Sequence, residues 1–217
     1  MKKVLTLLAG ISALVIPASV QAQQVQVNFV ASNPVPANNN FQTELAGLGF
    51  TSFTTTGATL ILDSNAQIFF EFLGSESGFS DTFTAGPVTY TENTFLTNNF
   101  GAPIPLGTAS FSAGSLATLL NFTTSSLLGM PATVGMDGFG IFLGPNQTSG
   151  QSVSVFYLGY DDQINNQDDN HDDFVLRATV LPPVPEPTTW AMMLIGFAGV
   201  GYSMRRSRRA SWIRQAA

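Results

Sequence analysis

The sequence predicts an all-β fold, an antiparallel β-sandwich of jelly-roll or immunoglobulin-like type, and three observations carry that prediction. Residues 23–181 are rich in Phe, Thr, Ser, Asn and Gly and poor in Lys and Glu, a balance that disfavours helix and suits strands joined by polar turns. Short apolar–polar alternations recur along this stretch with turn residues between them. No sustained helical period and no internal repeat competes with that pattern.

The expected elements follow in chain order. Residues 25–30 alternate, with Val25, Val27 and Phe29 on one face of a half-buried strand. Residues 58–62 and 67–73 read as a hairpin across Asp63-Ser64-Asn65, whose side chains bond their own backbone in turns. Residues 88–96 alternate again, placing Thr89, Thr91 and Asn93 on one side. Residues 138–143, 152–160 and 174–180 complete the set, with 144–150 as the loop of a second hairpin. Residues 110–130 fit a short helix carrying Leu116, Leu119, Leu120 and Phe122 as well as they fit a strand. Pro182, Pro183, Pro185 and Pro187 cannot join a sheet ladder, so residues 182–187 are expected to form an extended spacer that closes the domain.

Charge narrows the function. Between residues 23 and 183 Arg177 is the one basic residue against thirteen Asp and Glu, a formal charge of −12. Nucleic-acid affinity comes largely from Lys and Arg displacing counterions, so no nucleic acid is expected as a partner. An acidic surface attracts cations or keeps an exported protein soluble. The chain has no cysteine and one histidine, which excludes thiolate zinc sites and His-rich metal sites.

Both ends are read as targeting segments. Lys2 and Lys3 precede an apolar run over residues 4–16, and Val20-Gln21-Ala22 offers small residues for a signal peptidase, so residues 1–22 read as a signal peptide cleaved after Ala22. Residues 188–204 are uncharged, and as a helix they would extend ~25 Å at ~1.5 Å per residue, marginally enough to span a hydrocarbon core. Trp190 suits the outer interface, and Arg205, Arg206, Arg208 and Arg209 mark the cytoplasmic end of a basic tail over residues 205–217.

Pro185-Glu186-Pro187, an apolar helix opening with Trp190 and Ala191, and the arginine cluster occur in that order. Together they resemble the PEP-CTERM sorting signal of Gram-negative bacteria, over about the last thirty residues. The resemblance implies an inner-membrane-anchored precursor and an exosortase that recognises the tripeptide and removes the helix. It further implies delivery to the cell surface or to an extracellular matrix, typically in species that secrete exopolysaccharide.

Residues 161–173 hold six carboxylates, and no cation stands near them in sequence before Arg177. Asp168, Asn170 and Asp172 have the alternate spacing of hard oxygen ligands in calcium loops, although Asp173 occupies the position where an EF-hand places glycine. A calcium site and a solvated acidic loop both fit this composition. The stretch is also similar to the acidic end of several surface domains, including PEP-CTERM proteins. That similarity falls on Asp161, Asp162, Asp168, Asn170, Asp172 and Asp173. Residues 72–83 resemble a Gly-x-Glu-x-Gly-aromatic signature of related sequences, with Asp81 in place of an Asn.

Catalysis finds little support. No Gly-x-Ser-x-Gly elbow is present, and His171 in a polar loop is expected to be exposed. Glu71 and Glu76 read as strand and loop surface, and Gly135, Gly138 and Gly140 as turn or bulge positions. Phe outnumbers Tyr and Trp, which suits a core better than a sugar-stacking face. A non-catalytic surface protein is the leading reading, with a carbohydrate-binding module and then a matrix-polymer hydrolase as alternatives.

Overall fold

The computed structural model describes residues 23–92, 95–163, 170–182 and 187–215. The expected leader, Asp168, and the spacer residues Pro185 and Glu186 lie outside the described residues.

Sixteen strands and two helices form among the described residues. The chain begins with β1 (Val25–Asn28), β2 (Asn33–Pro34), α1 (Gln42–Gly47), β3 (Ser52–Thr54) and β4 (Thr59–Leu62). It continues through β5 (Ala66–Ser75), β6 (Asp81–Ala85), β7 (Val88–Thr91), β8 (Thr97–Asn98), β9 (Ile104–Phe111) and β10 (Gly114–Ser115). Then come β11 (Leu120–Thr124), β12 (Ala132–Thr133), β13 (Phe139–Leu143), β14 (Gln151–Val153), β15 (Val155–Tyr160), β16 (Phe174–Val180) and α2 (Pro187–Gln215).

The pairings are antiparallel and make three sheets. The largest runs β2-β3-β13-β15-β16-β5-β8, with β9 also paired to β5. The smaller two run β10-β4-β1-β14 and β12-β11-β6-β7. One apolar core joins all three: Val27 and Leu60 from the first small sheet, Phe83 and Phe122 from the second, and Phe70, Leu158 and Leu176 from the large one. Eight of the eighteen phenylalanines are buried in this core, as their excess over Tyr and Trp suggested.

The centre of the large sheet is buried on both faces. Val35, Phe41, Leu45, Phe53 and Val175 form a second apolar cluster behind it, with α1 as its cover. Double burial explains the near-continuous apolar runs of β13 and β15, since no face is left for polar residues.

Several expectations are corrected. Residues 58–62 and 67–73 are both strands, yet they do not pair with each other: β4 lies between β1 and β10, and β5 between β16 and β9. Leu60 and Leu62 face the core from one sheet while Ile68 and Phe70 face it from another, so the turn at Asp63 is a corner between layers. The second hairpin forms as β13 with β15, but Gln151–Val153 leaves it to pair with β1. The strand expected over 88–96 stops at Thr91, and residues 93–94 lie outside the described residues. Within 110–130 the strand alternative prevails, because Leu120 and Phe122 point inward at spacing two. Strands β6 and β9 and helix α1 were not foreseen. In β9 the register against β5 slips between Phe70 and Glu71, beside Pro105, which has no N–H to give the ladder.

At the C-terminus Pro187 opens α2 instead of ending the spacer, consistent with the preference of proline for the first helical turn. The helix also runs on through the arginines of the basic tail to Gln215, as no Gly or Pro follows Gly201 to stop it.

Candidate metal centre

The pairing of β16 with β5 sets the end of β5 beside the start of β16, with Val175 opposite Gly74. Two connections therefore meet: residues 75–81, leading from β5 to β6, and residues 161–173, leading from β15 to β16. An aromatic floor fixes the second. Phe122 stacks on Tyr160 at 5.0 Å between ring centres and lies 5.4 Å from Phe174, so the two residues nearest the ends of the loop rest on one ring. The Tyr160 hydroxyl donates to the Met130 carbonyl at 2.6 Å, and the Met130 N–H donates to the Asp162 carbonyl at 3.1 Å.

His171 is fully buried, against the expectation of an exposed loop residue. Gly140 and Gly159 stand opposite each other in β13 and β15, and a Cβ on either would come within 2.8 Å of His171 or closer. The two glycines leave a slot that the histidine fills, which corrects the reading of Gly140 as a turn or bulge. Its ring lies against Phe53, and Nε2 is 2.8 Å from the Asp137 carbonyl. A carbonyl can only accept, so this contact places the proton on Nε2. The role is that of a plug that shapes the loop, with φ +58 at His171 turning the chain so that Asp172 and Asp173 face the neighbouring connection.

The carboxylates gather where the connections meet. Asp161, Asp162 and Asp173 each bring an oxygen within 4.8 Å of the other two, and Glu76, Asp172 and Asp173 do the same. Asp81, Asp161, Asp162 and Asp172 are buried. The Asp162 N–H donates to Asp173 at 2.7 Å, and the hydroxyls of Ser77 and Thr124 donate to Asp162 at 3.2 and 3.3 Å. Asn40 reaches in from ahead of α1, its N–H donating to Asp172 at 2.5 Å and its amide to Glu76 at 3.2 Å. A cavity of about 170 Å³ opens between Glu76, Asp161, Asp162 and Asp173, with Phe79 and Phe95 at its edge.

Charge is poorly tolerated here. Burial pushes the Asp173 carboxyl up to about 9, with the negative charges of Asp162, Asp161 and Asp81 adding to the rise. Burial likewise lifts Asp81 to about 6, tempered by the nearby hydroxyls of Thr124 and Ser77. Asp162 is raised by burial, less the effect of its hydrogen bonds, and the Tyr160 phenol is raised by burial and the surrounding carboxylates. The domain's one arginine does not help, because Arg177 is bound to Glu71 at 2.7 Å, about 13 Å along β16 from Asp173 at ~3.3 Å per residue. Clustered buried Asp and Glu with hard oxygen donors are the chemistry that holds a divalent cation.

Of the residues singled out by sequence, Asp161, Asp162, Asp172 and Asp173 come together, and Asp168 lies outside the described residues. Asn170 is buried beneath them: its carbonyl accepts from the Asn39 amide at 2.7 Å and its side chain accepts from the Asp172 N–H at 3.4 Å. Glu76, which sequence reasoning read as surface, completes the second group, and Asp81 acts on Asp162 and Asp173 through its charge. The signal that pointed to both was the Gly-x-Glu-x-Gly-aromatic resemblance over residues 72–83.

The C-terminal segment is separate chemistry. Along the first half of α2, Trp190, Met192, Leu194, Ile195, Phe197 and Val200 are exposed. Among the described residues no helix is long and apolar enough to cross a membrane. Residues 183–209 match the family model of the PEP-CTERM protein-sorting motif. The chain carries a PEP-CTERM sorting motif. A motif of this kind marks a substrate of exosortase processing, not an enzyme, and directs export and sorting to the cell surface. No curated protein and no solved structure matches the chain.

Proposed function

We propose that this is a non-catalytic exported protein, held in the inner membrane as a precursor by α2 and released by exosortase to the surface or exopolysaccharide matrix of a Gram-negative bacterium. The PEP-CTERM motif over residues 183–209 is the observation that carries this reading. Recognition falls on Pro185, Glu186 and Pro187, with Trp190 and Ala191 opening the anchor and Arg205, Arg206, Arg208 and Arg209 stopping it on the cytoplasmic side. The exposed apolar side chains of α2 favour a lipid setting, since such a surface is costly in water. Intact mass of the surface-released protein tests it: loss of residues 190–217 supports processing, and a C-terminal peptide persisting in that form overturns it.

The displayed domain is read as an antiparallel sandwich whose acidic end binds calcium. The carboxylates of Asp161, Asp162, Asp172 and Asp173, the first three of them buried and grouped closely enough to share an ion, support this assignment. Asp168 and Asn170 extend the proposed loop. Phe79 and Phe95, exposed beside the acidic cavity, favour a second reading in which the bound ion helps to hold an acidic exopolysaccharide. Calcium-dependent retention on the host's own polysaccharide supports that reading, and equal retention in chelator removes it.

A further inference from the structure

We infer that the acidic end holds two divalent cations that share Asp173, and that their ligands come from both connections and not from the loop at 161–173 alone. The inference rests on the calcium reading above and specifies its stoichiometry and its ligands.

The first observation is geometric. Ligand oxygens around one calcium lie ~2.3–2.6 Å from the ion, so two of them can be at most about 5 Å apart. Among the described residues the carboxylates divide into two groups that meet this limit, Asp161–Asp162–Asp173 and Glu76–Asp172–Asp173, and not into one group of five. Asp173 belongs to both, and a carboxylate has two oxygens with which to bridge. Glu76 belongs only to the second group and Asp161 only to the first.

The second observation is Asp81. Its side chain is fully buried, and neither oxygen meets a hydrogen-bond donor at bonding geometry, because the hydroxyls of Ser77 and Thr124 turn to Asp162 instead. Its charge acts on Asp162 and on Asp173, the shared ligand. A single dication would leave the six carboxylates Glu76, Asp81, Asp161, Asp162, Asp172 and Asp173 with a formal charge near −4. Two would leave about −2, a burden that the hydrogen bonds from Ser77, Thr124 and Asn40 are placed to spread. Backbone carbonyls and water would complete each coordination sphere.

The consequence is mechanical. Residue 76 lies some ninety positions before residues 161–173, so the two ions close a long loop and tie the β5–β6 connection to that between β15 and β16.

Native mass spectrometry of the full-length chain in detergent, with calcium added after chelation, tests the count. Wild type should carry two calcium ions, Glu76→Gln one, Asp161→Asn one and Asp173→Asn none. A single ion on wild type overturns the inference while leaving the calcium reading intact. The loss of all calcium from both Glu76→Gln and Asp161→Asn overturns it in the same way, by showing one undivided site. Absence of any calcium on wild type removes both readings. The wild-type count needs no variant, so it stands even where a substitution impairs folding.

Discussion

Two places in this domain bury carboxylates, and they solve the problem differently. On the paired strands β16 and β5, Arg177 stands opposite Glu71 and bonds it at 2.7 Å, so the charge is neutralised within the fold. Where the connections from these strands meet, Asp81, Asp162 and Asp173 are raised by burial, Asp81 and Asp173 also by neighbouring carboxylates, and the domain's one arginine, Arg177, is already bound to Glu71. The first pair is finished when the chain folds. The second cluster is finished only by protons or by ions from outside, which makes its stability depend on the medium. An exported domain meets millimolar calcium outside the cell, and an ion that binds only the folded state adds stability there by mass action.

The largest expected effect is on the unfinished side. Calcium at about a hundred times its dissociation constant adds ~2.7 kcal/mol, which for a domain of this size raises Tm by roughly 5–10 °C. Asp173→Asn should abolish that rise and leave the metal-free Tm equal or higher, since an amide keeps the acceptor for the Asp162 N–H without the charge. A wild-type Tm indifferent to calcium would erase the contrast between the two places.

A smaller effect concerns pH. The folded-state values of Asp81, about 6, and Asp173, about 9, lie above the ~3.9 of an unfolded aspartate, so between those limits the native state holds protons that the unfolded chain has shed. Metal-free stability should therefore decline as pH rises from about 5 through 6 and on through 9. Calcium requires the deprotonated groups, so the stabilisation it adds should grow over the same window. The charges of Asp162 and Glu92 act on Asp81, and those of Asp162, Asp161 and Asp81 on Asp173. Thermal melts from pH 5 to 9 in chelator and in calcium check the two slopes, and parallel curves would contradict the assignment.

The smallest effect belongs to the finished pair. Glu71 and Arg177 side chains are 14% and 32% exposed, so solvent screens part of their attraction, and Glu71→Gln should cost at most about 1 kcal/mol, or ~2–4 °C in Tm. The calcium response of that variant should equal the wild type's. A reduced response would mean that Arg177 reaches the acidic end electrostatically.

Much of the strand content was legible because alternation at spacing two records which face is buried, as at Val25 and Val27 or Phe70 and Phe72. Alternation does not record which strand is the partner, which is why β4 and β5 read as a hairpin and proved to lie in different sheets. Helix α1 was missed because a six-residue segment holds too few turns to show a period, and it exists to cover the second cluster through Leu45. His171 was misread for a related reason: the slot that buries it is made by two glycines that meet only across a strand pair.

By itself, then, the sequence determined what depends on order along the chain. The sorting motif is such a feature, since a proline-flanked Glu186, an apolar stretch and an arginine cluster are recognised as a linear signal. The surplus of carboxylates over cations is another, for charge is counted without a fold. Only the tertiary structure decided which carboxylates share a space. Glu76 meets Asp172 and Asp173 because strand pairing brings distant segments within ångströms, and coordination acts at that range whatever the separation in sequence.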